Sequence, residues 1–188
     1  MASAARALPA PGHRRARPGR SALTWLQTHD RGLLAVRRAT RTAIVMPIVL
    51  VITARLIGNP VTATFSAFGC FAMMLLVDFS GPMRDRLQAQ AALVLACGAL
   101  ITVATLASRS AVLAAAVTAV VAFVILFSGV VSSVLAGATT SLLLAFVLPV
   151  SLPGAPASIP DRLAGWGLAG GASMMAIALL WPAPANDA

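Results

Sequence analysis

The chain has 188 residues, of which 59% are hydrophobic and only 10% are charged, and its formal net charge is +9. Soluble domains carry about 25% charged residues, so this chain has too few charges to cover the surface of a soluble fold. The positive charge does not indicate nucleic-acid binding, because much of it lies in one N-terminal segment. The composition indicates an integral membrane protein surrounded mainly by lipids.

The N-terminal region contains two segments of different composition. Residues 1–20 combine Ala, Pro, Gly and Arg without an apolar face, which predicts a disordered basic tail. They lack the apolar region and cleavage site of a signal peptide. Residues 21–42 mix Trp and Leu with Arg, which is typical of an amphipathic interfacial helix that bends into the first span. Within it, Arg37, Arg38 and Arg41 are predicted to reach lipid phosphate groups.

Apolar stretches separated by polar or helix-breaking residues occupy residues 43–182. A helix needs ~20 apolar residues to cross ~30 Å of hydrocarbon, and it satisfies its own backbone groups there. Residues 111–150 carry no charge and must fold back, so we place a turn within 128–133, nearest Ser128 and Gly129. The sequence predicts an all-α, six-helix transmembrane bundle and a short tail at 183–188. The predicted spans are 43–57, 61–77, 91–107, 111–127, 131–148 and 163–181.

Arginines near the ends of the spans predict the orientation of the chain, because cytoplasmic loops are enriched in them. A cytoplasmic N-terminus places more arginines inside than outside, and both termini are then cytoplasmic. The inside set is Arg31, Arg37, Arg38, Arg41, Arg84 and Arg86, and the outside set is Arg55, Arg109 and Arg162.

Residues that could support catalysis or hold a cofactor are scarce. The two histidines, His13 and His29, precede the predicted spans. Cys70 and Cys97 lie inside predicted spans and are expected to pack as small apolar residues. The sequence has no His/Cys metal cluster and no glycine-rich phosphate loop. We therefore expect no enzyme activity, no metal and no cofactor.

Asp78 is the most informative ionisable residue, because it directly follows the second predicted span. An ionised Asp deep in hydrocarbon costs roughly 2.5–3.5 kcal/mol, a cost that mostly disappears at the interface. Two interpretations remain open. Asp78 is either a helix-end residue paired with Arg84 or Arg86, or a gate for a proton or a substrate.

Arg55 and three phenylalanines are the other candidate transport residues. Arg55 lies near the outer end of the first span, where it either extends to the interface or attracts an anionic substrate. Phe65, Phe68 and Phe71 recur at every third position and are predicted to form one stripe on a helix. The stripe serves either helix packing or the path of an aromatic substrate.

Small residues mark two predicted helix contacts. Gly69 lies among the phenylalanines and is expected to permit close approach of a neighbouring helix. Gly167 and Gly171 have the small-xxx-small spacing of tightly packed membrane helices.

Three stretches of the chain resemble the amino-terminal membrane half of the FUSC family, the fusaric acid resistance and aromatic acid exporter-like proteins. The first is residues 31–41, RGLLAVRRATR. The second is residues 65–72, FSAFGCFA, continued by DFSGP at 78–82. The third is AFVLPV at 145–150, followed by PDRLAGW at 160–166. The resemblance covers about residues 30–182 and supplies no substrate-binding residues.

The resemblance implies a bacterial inner-membrane module that exports small or aromatic organic acids. Members of this family are usually longer, with a second membrane segment and a soluble cytoplasmic region, so this chain looks like one membrane half. Such a half is expected to work as a homo-oligomer or with a second transporter half. Because the sequence contains no nucleotide-binding loop, an ion gradient is the expected energy source. The alternative is a non-transporting membrane scaffold or the truncated remnant of a longer transporter.

Overall fold

The computed structural model describes residues 34–77, 79 and 82–179, without the side chains of Leu34, Ser133 and Val134. The predicted tails at 1–20 and 183–188, most of the predicted interfacial segment, and Asp78 lie outside the described residues. Residues 1–37 and 38–188 form separate compact units. The packing reported below is that of the second unit.

All regular structure in the described residues is helical, which confirms the prediction of an all-α fold. Three segments are long and apolar enough to cross a membrane, at 35–57, 83–107 and 111–131. The helices are α1 (Leu34–Ile52), continued by a π-helical turn (Thr53–Ile57), α2 (Pro60–Leu75), α3 (Met83–Ala107), α4 (Ala111–Val131), α5 (Ser133–Ser151), a 3₁₀ turn (Pro156–Ser158) and α6 (Ile159–Leu179).

All six helices differ from the predicted spans at one end or both, and for α3 and α4 the difference has a local reason. α4 ends at Val131 rather than near Gly129, because Ser132 has an extended backbone with φ −135° and ψ 127°. α3 begins at Met83, eight residues before the predicted span, directly after Pro82. Pro lacks a backbone N–H and is common at the start of a helix, which accounts for the start of α3 directly after Pro82.

The junction between α1 and α2 is closed by three residues of suitable backbone chemistry. Gly58 has φ 70°, a left-handed conformation that glycine adopts at little cost, and its N–H donates to the carbonyl of Thr53. Asn59 caps α2, because its Oδ1 accepts a hydrogen bond of 2.9 Å from the N–H of Val61. Pro60 occupies the first helical position, where no N–H is needed.

The predicted bend between an interfacial segment and the first span is absent from residue 34 onward. Arg37, Arg38 and Arg41 lie on the first turns of α1, which continues without interruption to Ile52. No glycine or proline occurs in this helix before Pro47, so nothing in the sequence interrupts the hydrogen bonds of its first three turns. The three arginines therefore extend α1 instead of forming a separate helix within the described residues.

α6 packs against two helices, α2 and α3. Its buried residues recur three or four positions apart, as expected for a helix with one packed face: Arg162, Gly165, Trp166, Ala169, Gly170, Ser173, Ala176 and Ile177. α3 packs in turn against α5, and α4 packs mainly against α5. α4 therefore lies at the margin of the described bundle.

Glycines allow α6 to approach its neighbours closely. A Cβ at Gly165 would collide with the carbonyl oxygen of Thr62 on α2. A Cβ at Gly69 would lie 2.6 Å from the Cβ of Ala169, and one at Gly170 would lie 2.8 Å from Cγ2 of Val94 on α3. Small residues that let helix backbones meet in this way are typical of membrane bundles.

The outer surface of α4 is apolar over its whole length. Ile125 is its one buried residue, whereas Val112 and Val130 are more than 80% exposed. Such a surface is unfavourable in water, because burial of apolar area contributes about 25 cal/mol per Å². It is compatible with a helix that faces lipid.

We expect Gly165→Ala to destabilise the fold by ~1–3 kcal/mol, because its Cβ meets backbone atoms of α2 that cannot move independently. Gly171→Ala is the matched control, since a Cβ there would meet nothing within 4 Å. Unfolding of both variants is followed by circular dichroism in mild detergent. Equal stability of the two variants would contradict the close α2–α6 contact.

Candidate functional site

Arg162, in the first turn of α6, is the one charged side chain that the described residues bury. Only 4% of its surface is exposed. Arginine is almost never fully buried without partners, because removing a charge from water is costly. The surroundings of Arg162 are therefore the candidate functional site.

The C-terminal end of α5 provides two carbonyl oxygens for the Arg162 guanidinium. Nη2 donates to the carbonyl of Leu152 at 2.7 Å, and Nη1 donates to that of Pro149 at 3.5 Å. The carbonyl of Pro149 would normally accept from the residue four positions later, but Pro153 has no N–H. The guanidinium thus donates to a carbonyl that has no helical partner, at the negative end of the α5 dipole.

α2 and α3 provide the other two contacts of the guanidinium. Nη1 donates to Oγ1 of Thr105 at 3.1 Å, and that hydroxyl donates its own proton to the carbonyl of Ile101 at 2.7 Å. The guanidinium carbon lies 5.1 Å from the centroid of the Phe65 ring, within range of a cation–π interaction. Arg162 therefore joins four helices at one end of the described bundle.

The positive charge of Arg162 is not neutralised within the described part of the chain. No carboxylate forms an ion pair with the guanidinium there, and its Nε is buried without a hydrogen-bond partner. Carbonyl oxygens and an aromatic face supply partial charges, but no full negative charge. The positive charge of such a site favours an anion as a ligand. The ring of Phe65 lies beside that charge.

The loop between α5 and α6 passes directly over the guanidinium. A Cβ at Gly154 would collide with Nη2 of Arg162 and would lie 3.0 Å from Oγ of Ser158. Any larger residue at position 154 would therefore displace either the loop or the guanidinium. Gly154 is thus part of the site, although no local signal in the sequence distinguishes it from an ordinary loop glycine.

Further buried polar contacts join the helices away from Arg162. Nε2 of Gln90 on α3 donates to Oγ of Ser173 on α6 at 3.1 Å. Ser141 on α5 donates to the carbonyl of Ala72 on α2 at 2.7 Å. Each polar group has a partner on another helix, so these contacts fix the register of the bundle.

The structure separates the predicted transport residues. Arg55 is exposed on the π-helical turn. The three phenylalanines do not share one environment, because Phe65 is buried, Phe71 is half-buried and Phe68 is 40% exposed. A spacing of three advances about 300° around a helix, so the stripe drifts away from the packed face. Asp78 lies outside the described residues.

The predicted packing glycines also divide into two groups. Gly69 faces Ala169 and Trp166 across the α2–α6 contact. Gly167 and Gly171 are exposed, and a Cβ on either would meet nothing within 4 Å. Neither glycine makes a close helix contact among the described residues, although Gly167 borders a groove between α3 and α6.

Sequence reasoning treated Arg162 only as an outward-facing charge and missed Thr105, Gly154 and Gly165. The motif PDRLAGW contains both Arg162 and Gly165, but nothing in it indicates which neighbours they meet. A signal was present in Pro153, because it has no N–H and leaves the carbonyl of Pro149 without its helical partner. An arginine nearby along the chain is a natural donor for such a carbonyl.

We expect Thr105→Val to destabilise the protein by ~1.5–3 kcal/mol, because it removes a hydrogen bond to a buried charged group. Thr102→Val is the matched control on the same helix, since its hydroxyl bonds only to the carbonyl of Gly98. Chemical unfolding in mixed micelles compares the two variants. Equal losses would show that Thr105 does not support Arg162.

Comparisons of the chain with protein-family models, curated proteins and solved structures give no match.

Proposed function

We propose that this chain is a six-span module, in the bacterial inner membrane, of a transporter that exports small or aromatic organic acids. Both termini lie in the cytoplasm. The module binds membrane lipids on its outer surface, and it works as a homo-oligomer or with a second transporter half. The single observation that carries the proposal is the buried, un-neutralised guanidinium of Arg162 beside the ring of Phe65.

The membrane part of the proposal is supported by helix length, surface and charge placement. Three helices are long and apolar enough to span a bilayer, and α4 has an almost entirely exposed apolar surface. The contacts of Arg162 bring together the C-terminal ends of α3 and α5 and the N-terminal end of α6. Arg84 and Arg86 lie on the first turn of α3 and therefore at its other end.

The substrate class is supported by the chemistry around Arg162. An ionisable residue within a membrane bundle is by default a functional hypothesis, because its burial is costly. A planar guanidinium matches a carboxylate, and no carboxylate among the described residues pairs with it. The adjacent Phe65 ring lies under the guanidinium and stabilises its positive charge at this position. These features suit a small organic anion better than a cation or a sugar.

The orientation predicts which loop thiols can be labelled from outside. Ser110→Cys, in the exposed α3–α4 turn, should react with a membrane-impermeant maleimide in spheroplasts. Gln88→Cys, exposed near the start of α3, should react only after permeabilisation. Cys70 and Cys97 are fully buried and serve as the unreactive background. The reverse labelling pattern would refute the orientation.

The transport proposal is tested by retention of radiolabelled benzoate in preloaded cells. Cells that express the chain should lose benzoate faster than vector controls. Arg162→Lys should reduce this difference by about tenfold, because it keeps a charge but removes the planar donor pair. Arg109→Lys, at an exposed position in the α3–α4 turn, should keep it within about twofold.

The outcome is interpreted only at equal membrane abundance of all variants, measured by immunoblot. Loss of activity in both arginine variants would contradict a specific role of Arg162. Unchanged benzoate retention with abundant wild-type protein would reject export of this acid class and favour the scaffold alternative. The Asp78→Asn variant in the same assay tests the gate interpretation, which unaltered efflux would eliminate.

A further inference from the structure

The loop that joins α5 to α6, residues 152–158, lies between the Arg162 guanidinium and the surface of the protein. None of the seven loop residues is buried, whereas Arg162 itself is only 4% exposed. A Cβ at Gly154 would collide with Nη2 of Arg162 and would lie 3.2 Å from its Cζ. The backbone of the loop is therefore in contact with the guanidinium on one side and exposed on the other.

Few contacts hold the loop in this position. The hydroxyl of Ser158 donates to the carbonyl of Ala155 at 2.7 Å, which is a bond within the loop itself. The carbonyl of Leu152 accepts from Nη2 of Arg162 at 2.7 Å, which is a bond to a charged group of α6. A surface segment with little buried apolar area opens at a low free-energy cost. The position of the loop consequently depends chiefly on its contact with Arg162.

The same contact occupies a donor that a carboxylate ligand would need. Nη2 donates to Leu152, and Nη1 donates to Thr105 and to the carbonyl of Pro149. A carboxylate typically binds a guanidinium through two parallel N–H···O bonds, and Gly154 leaves no room for one beside Nη2. An anion can therefore pair with this end of the guanidinium only when the loop has moved away.

The exchange of one acceptor for the other is chemically favourable. The carbonyl of Leu152 is a neutral acceptor, whereas a carboxylate carries a full negative charge and forms a stronger bond with a guanidinium. An anion that binds only the open loop shifts the population towards that state. The Leu152 carbonyl thus acts as an internal competitor of the ligand.

We propose that residues 152–158 form a lid that closes the Arg162 site, and that an organic anion opens the lid by replacing the carbonyl of Leu152 on the guanidinium. The choice of an organic anion rests on the proposed function. The closing contact does not, because it is a property of the chain without any ligand.

Chemical modification by phenylglyoxal, a reagent for accessible guanidinium groups, measures opening of the lid in the purified full chain in detergent. Gly154→Ala should raise the modification rate of Arg162 by about tenfold, because the added Cβ separates the lid from the guanidinium. Gly171→Ala is the matched control, since its Cβ meets nothing within 4 Å, and it should change the rate by less than about twofold.

Mass spectrometry of the peptide that contains Arg162 gives this rate, and the exposed Arg109 in the same sample is the reference for the reagent. Circular dichroism establishes that both variants are folded, since unfolding would also expose Arg162. Equal modification of Arg162 in the two folded variants would overturn the proposal.

Opening by an anion is tested with nitroxide labels on Ala157→Cys in the lid and Ser110→Cys in the α3–α4 turn, both at exposed positions. Cys70 and Cys97 are fully buried and remain unlabelled. In double electron–electron resonance, benzoate should add a second distance between the labels, whereas benzamide, which has the same ring but no charge, should not. Gly154→Ala should show the second distance without benzoate. Distances that benzoate leaves unchanged, or that benzamide changes equally, would overturn opening by an anion.

The lid and the proposed function can fail separately. The expected modification rates and distances, together with unchanged benzoate retention in cells, would support the lid and reject export. Arg162-dependent export of benzoate, together with no effect of Gly154→Ala on the modification of Arg162, would support the proposed function and reject the lid.

Discussion

The close approach of α6 to α2 is the contact on which the rest of the described structure depends. At Gly165 the backbone of α2 occupies the space of a side chain, and at Gly69 the side chains of α6 occupy the corresponding space on α2. This approach places the Arg162 guanidinium over the Phe65 ring and buries Trp166 between α2 and α3. The burial of both side chains therefore depends on one helix pair, because a wider separation would expose the arginine and the indole.

Among the described residues, Arg162 is buried without a carboxylate partner. Its donors are directed at the carbonyl of Pro149, which Pro153 leaves without a helical partner, at the carbonyl of Leu152 and at one hydroxyl of α3. These contacts lower the cost of burial but leave the net charge in place. The contacts of Arg162 thus hold the helix ends together, and its remaining positive charge favours an anion. The structural role of Arg162 and the proposed substrate class therefore have the same origin.

The helical class, the approximate position of each apolar helix and the scarcity of catalytic groups could all be predicted from the amino-acid sequence. These properties depend on hydropathy, helix-breaking residues and residue types, which act locally along the chain. The sequence limited the α4–α5 turn to 128–133, and the helix breaks at Ser132 within that range, because a run of apolar residues does not mark its own break more closely. Which glycines meet neighbouring helices, namely Gly165 and Gly170 and not Gly167 and Gly171, depends on how the helices pack. The tertiary structure likewise decided the burial of Arg162, because the rotation of each helix depends on side chains that are distant in the sequence.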